Sequence, residues 1–196
     1  MRIAAALAAA TLAIGGSARA EGTPLPFDVG GAYELIDQHG QTRTEKDPDG
    51  KGQLLFFGYA NCLSICTAAM PMMADATDAL NEAGIPVTPV MITIDRERDQ
   101  PGNMTGPLLQ IHDDFVGLSG SAEALQVAYD AYSVQHELAY VDLEYGPIYA
   151  HGSFVYLLNA EGEVQTLFPP ITTPERVVEL AQKYLAPKDD EATEGS

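Results

Sequence analysis

A chain of 196 residues, 46% of them apolar, can close one ordinary hydrophobic core but not comfortably two, so a single domain is expected. Its formal charge of −18, from 28 acidic against 10 basic side chains, excludes nucleic acid as a natural partner and disfavours anionic membrane surfaces. Cations and basic protein faces are what such a surface attracts.

The N-terminus reads as an export signal: Arg2 is a short basic start, Ile3 to Ile14 an Ala-rich apolar run, and Ser17-Ala18-Arg19-Ala20 supplies small residues before a cleavage point. That run is shorter than the roughly 20 residues a membrane helix needs, and no later stretch reaches that length. Residues 1–20 are therefore set apart as a signal peptide, with an uncleaved anchor as the competing reading. The mature chain is expected to be soluble, in the periplasm of a Gram-negative host and without stable membrane insertion. Losing Arg2 and Arg19 makes it more acidic still.

Residues 21–32 form an irregular Gly/Pro lead-in, followed by a short alternating stretch at Tyr33–Ile36 and a polar turn at Asp37-Gln38-His39-Gly40, a hairpin start. After the turn Asp47–Gly52, the apolar run Leu54–Tyr59 suits a central strand buried on both faces. A helix is predicted over Thr67–Ala83, closed by Gly84, with Pro71 expected to kink or restart it. Val87–Ile94 is a second buried strand. The stretch 95–115 is broken by charge, Gly and Pro, with a short helix over Leu108–His112. Val116–Leu118 follows as a strand, then a helix capped by Ser121 and running to Tyr132, then an edge strand over Ser133–Leu138. Ser153–Leu158 and Val164–Phe168 pair across the turn Asn159–Gly162, and Thr173-Pro174 opens a last helix to Leu185. The acidic tail 186–196 has too little apolar surface to fold. This order predicts an α/β domain over 21–185, with a mixed central sheet flanked by helices.

Cys62 and Cys66 lie in the turn that leaves the first buried strand and enters a helix, where free N–H groups and the helix dipole favour thiolate. Four positions apart, their sulfurs share one side of a helical turn, close enough to hold one metal or to oxidise to a disulfide. Soft sulfur pairs select Cu(I) and zinc. A purely structural disulfide would close a loop too short to gain much from loop-closure entropy, and thiol–disulfide oxidoreductases usually space their pair by two residues. Of four histidines, His151 stands at the entrance of a buried strand and can be held rigidly, whereas His39, His112 and His136 read as surface groups. Met70, among the cluster Met70, Met72 and Met73, is an auxiliary thioether candidate against the commoner reading of core filler. Asp95, at a strand end, either faces the site or caps a helix, and Tyr59 either walls the site or packs.

The stretch GKGQLLFFGYANCLSIC resembles the Sco/SenC copper chaperones, as do DRERD at Asp95–Asp99 and HGSFVYLLNAEGEV from His151, with Tyr156 five positions on. The likeness runs over roughly 27–185, with departures at Leu63 and Thr67, where the family has proline, and at Gly152, where it has serine. It implies a thioredoxin-like fold and one copper ion, Cu(I) or Cu(II), held by Cys62, Cys66 and His151. A respiratory oxidase copper subunit, or another copper protein, is then the expected recipient. The runner-up is a periplasmic thiol–disulfide reductase using Cys62 and Cys66 as a redox pair on a copper-site partner. A structural zinc module lacks a fourth protein ligand.

Overall fold

The computed structural model describes residues 28–60, 62 and 66–185; the leader 1–20 and the tail 186–196 lie outside the described residues. Its elements in chain order are β1 (Glu34–Asp37), β2 (Thr42–Thr44), β3 (Gly52–Gly58), α1 (Cys66–Glu82), β4 (Val87–Thr93), α2 (Thr105–Leu109) and β5 (Val116–Ser119), then α3 (Ala122–Ala131), β6 (His136–Asp142), β7 (Gly146–His151), β8 (Val155–Leu158), β9 (Val164–Phe168) and α4 (Pro174–Leu185). Seven strands make one sheet in the order β2-β1-β5-β4-β3-β8-β9. The pairs β3–β4 and β4–β5 are parallel and the rest antiparallel, which is the mixed thioredoxin-like α/β sheet expected.

Every residue of β3 and β4 is buried, because each strand has a neighbour on both sides and helices lie over the sheet. Helix α1 packs on β3, β4 and α4, with Ala69, Met73, Ala76, Thr77 and Leu80 on its buried face at helical spacing. It closes with N–H bonds from Gly84 to Asn81 and from Ile85 to Leu80, the double bond of a Schellman ending. On α3, Ser121 accepts the Ala124 N–H at 3.1 Å, and Tyr129 and Tyr132 at its end pack their rings on Phe57 of β3.

Four local expectations are corrected. Helix α1 continues across Pro71 without a restart; the proline falls in the second turn, where only one ladder bond is at stake. The short helix is Thr105–Leu109 rather than Leu108–His112, since Pro107 sits in its first turn, where an N–H has no helical partner anyway. The single edge strand expected at Ser133–Leu138 is half of a separate two-stranded sheet, β6–β7, that occupies 136–151. Asp142 turns that hairpin by accepting the N–H groups of Glu144 and Tyr145 at 2.8 and 2.9 Å. Most of β6 is wet on both faces, so the stretch carries no apolar periodicity to read. Finally, Phe154 is 46% exposed and the buried strand starts at Val155, which leaves His151 as the last residue of β7.

Candidate metal centre

The site forms where β3 ends. Parallel strands turn their carboxyl ends toward one rim of the sheet, and the loop from β3 to α1 places both cysteines there. The Cys62 N–H donates to the Tyr59 carbonyl at 3.1 Å, and Cys66 is the first residue of α1. Both cysteines are buried and joined to each other as a disulfide, with Cα atoms 5.7 Å apart. His151 comes to them from the end of β7, with Nε2 3.8 Å from the Cys66 sulfur. The ligand atoms of Cys62, Cys66 and His151 all lie within 4.8 Å of one another, and no other group of three His, Cys, Asp or Glu side chains is so arranged among the described residues.

The histidine is in the form a metal needs. Its Nδ1 lies 2.8 Å from the Gly152 carbonyl, which can only accept, so Nδ1 carries the proton and Nε2 turns a lone pair toward the sulfurs. Burial pushes its pKa below the usual histidine range, against the pull of that hydrogen bond and with a small contribution from His136. The ring is seated edge-on between Phe56, 5.8 Å away, and Tyr59, 6.1 Å away. On the cysteine side, Gly58 leaves room for sulfur: a Cβ there would stand 3.1 Å from Cys66 Sγ and 2.6 Å from the Phe56 ring.

Asp95–Asp99 touches both halves of the site. The buried Asp99 carboxylate accepts the Ala60 N–H at 2.9 Å and the Thr93 hydroxyl at 2.8 Å, tying down the chain two residues before Cys62. Burial raises its pKa, opposed by those two bonds. The Asp95 carboxylate is taken by Arg98 Nε, not by the cluster, and its N–H caps onto Thr93 Oγ1. Arg98 then reaches the hairpin, with Nη1 on the Tyr145 carbonyl at 2.6 Å and Nη2 on the Pro147 carbonyl at 2.5 Å.

Tyr59 does wall the site, whereas Met70, Met72 and Met73 are buried in the core. His39 is exposed in the β1–β2 turn, and His112 pairs with Asp78 at 3.2 Å. His136 is nearer than expected: it stands directly across the strand pair from His151, with its ring 4.7 Å from that of Tyr129, and burial lowers its pKa. Sequence reasoning noticed the DRERD segment but not Arg98 as a bridge, because the carbonyls it binds lie 47 and 49 positions away.

Fold and site together define a thioredoxin-like protein with a Cys–Cys–His cluster at the carboxyl rim of its sheet. The family model described as SCO1/SenC matches residues 21–186, and the chain belongs to that family. It is 32% identical over 154 residues to an SCO2-like protein of Rickettsia felis, covering 78% of this chain and 75% of that one. Among solved structures it is similar to Arabidopsis thaliana ScoI with copper bound, at a TM-score of 0.72 and 27% identity over 77% of this chain and 94% of that one. Bradyrhizobium japonicum ScoI with copper bound matches at 0.70 and 27% identity, over 80% of this chain and 99% of that one.

Proposed function

We propose that this protein is an exported copper carrier: after removal of residues 1–20 the domain 21–185 works in the periplasm, taking up one copper ion on Cys62, Cys66 and His151 and passing it to another copper protein. The observation that carries the reading is the convergence of two sulfurs and one imidazole nitrogen within 4.8 Å at one rim of the sheet. Two thiolates suit Cu(I), and an added imidazole suits Cu(II), so one ligand set serves both oxidation states. Two related proteins carry copper in their solved structures. Loading starts with two-electron reduction of the Cys62–Cys66 disulfide by a dithiol, which leaves two thiolates to receive the ion. Few ligands at an edge of the fold permit release, and by family resemblance the recipient is the copper-bearing subunit of a respiratory oxidase. An acidic carrier recognises a recipient with a basic face, so transfer slows as salt is added.

Titration of the reduced protein with copper, followed by metal analysis and an optical spectrum, tests this reading. One ion per chain is expected, lost in Cys62→Ala and Cys66→Ala; equal binding by the double variant overturns it. The disulfide also favours a second reading, a thiol–disulfide reductase acting on a partner's copper-site cysteines. Multiple-turnover reduction of a disulfide substrate, with no copper transfer to the apo copper domain of an oxidase, selects the reductase.

A further inference from the structure

We propose that Arg98 is the positioning residue that latches the β6–β7 hairpin, and with it His151, over the cysteine pair, so that it decides how firmly Cu(II) is held while leaving Cu(I) on the two sulfurs almost untouched.

The hairpin needs such a latch. It is a sheet of its own, not hydrogen-bonded into the seven-stranded one, and Leu138, Tyr140, Val141, Leu143 and Tyr145 along it are all exposed. Its grip on the body comes from a few contacts: buried Ile148, the Tyr149 ring on Tyr59, the His136 ring on Tyr129, the His151 ring between Phe56 and Tyr59, and the Arg98 guanidinium. Arg98 makes the charged part of that grip and its two shortest hydrogen bonds, beside a longer one from the Tyr149 N–H to the Tyr59 hydroxyl at 3.5 Å. Two guanidinium nitrogens fork onto the carbonyls of Tyr145 and Pro147, on either side of Gly146 and at the start of β7, while Nε is fixed by the buried Asp95 carboxylate and the guanidinium carbon lies 5.3 Å from the centre of the Tyr59 ring. Such a fork is a geometry that lysine cannot reproduce.

Gly146 is shaped to accept it. Its φ of +76° is left-handed, and a Cβ there would stand 3.3 Å from Arg98 Nη1. One strand, β7, runs from Gly146 to His151, with a bulge in its partner between Leu138 and Tyr140, so a β7 held at its first residue places the imidazole at its last. The residue after Arg98 in its own segment, Asp99, holds Ala60 before Cys62. One short loop thus sets the spacing between sulfur and nitrogen donors that approach from separate parts of the chain.

This inference rests on the copper-carrier reading, and the experiment separates the two. Arg98→Gln, Arg98→Lys and Gly146→Ala are compared with the parent and with Arg96→Gln, a neighbouring exposed arginine whose bond to Gln100 uses only its backbone carbonyl. In the metal-free protein, amide hydrogen exchange over residues 146–151 should quicken about tenfold in Arg98→Gln and Gly146→Ala, less in Arg98→Lys and not in Arg96→Gln, as the loss of a charge-assisted pair of bonds implies. In the reduced protein loaded with copper, Cu(II) affinity should fall about tenfold in Arg98→Gln with loss of the imidazole-nitrogen signature in its magnetic resonance spectrum, while Cu(I) affinity stays within about threefold. Unchanged exchange in Arg98→Gln overturns the latch. Faster exchange with an unchanged Cu(II) spectrum overturns the positioning of His151. Should the parent bind no copper, the carrier reading fails, yet the exchange result still decides whether Arg98 holds the hairpin.

Discussion

Replacing Gly58 by alanine adds a single methyl group at the rim of the site, and the structure says where it lands. The new Cβ would stand 2.6 Å from Phe56 Cε1 and 3.1 Å from Cys66 Sγ, both closer than the 3.4 Å at which ordinary contact begins. The backbone cannot retreat, because Gly58 is paired with Thr93 in β4 and its carbonyl accepts the Ile94 N–H at 2.8 Å. The Phe56 ring cannot swing out either, being wholly buried and set against His151. Overpacking of this kind costs about 1–3 kcal/mol. At about 2–4 °C per kcal/mol for a domain of this size, the unfolding midpoint should drop by about 2–12 °C. The displaced groups include one sulfur and one wall of the imidazole seat, so copper affinity of the reduced variant should fall as well. Thermal unfolding followed by circular dichroism, paired with a copper titration, measures both. A midpoint within about 1 °C of the parent, together with unchanged affinity, refutes the claim that glycine is required here for space.

His151→Ala should abolish the thiolate-to-Cu(II) absorption band while Cu(I) still binds to the sulfurs, read by optical titration of each oxidation state; an unchanged band removes His151 from the ligand set. The pKa values of His136 and His151 are both held down by burial, so their contribution to stability is present above the unfolded histidine value of about 6.5 and is lost as pH falls through the lower folded values. The urea midpoint of the metal-free protein should accordingly fall between pH 7.5 and 5.5, less steeply in His136→Gln, and identical slopes refute the assignment. Leu80→Ala empties a fully buried position on α1 and should cost about 2–5 kcal/mol by urea unfolding without changing copper stoichiometry, since Leu80 is far along the helix from Cys66.

The local patterns of the chain carried much of this architecture. The run Leu54–Phe57 announced a strand buried on both faces, Ser121 and Thr173 announced helix starts, and Gly84 announced a helix end, because burial period, caps and turn chemistry are properties of neighbouring residues. The spacing of Cys62 and Cys66 at a strand-to-helix turn, and His151 in its block, likewise marked the site that the fold brings within 4.8 Å. Other features could not be read that way. The β6–β7 hairpin buries little of either face and so leaves no periodic trace, and its register alone sets His136 opposite His151. Phe154 falls inside the strand expected over Ser153–Leu158 and is exposed, since that strand begins only at Val155. From sequence Asp95 either faces the site or caps a helix, and Arg98 carries no reading of its own; tertiary structure buries the first against the Arg98 guanidinium and sends the second to two carbonyls nearly 50 positions away. Sequence by itself determined which groups are present and which segments hide from water. Only the folded chain decided which polar groups meet across the sheet rim, because partnerships at such separations follow from topology and strand register, to which no local periodicity responds.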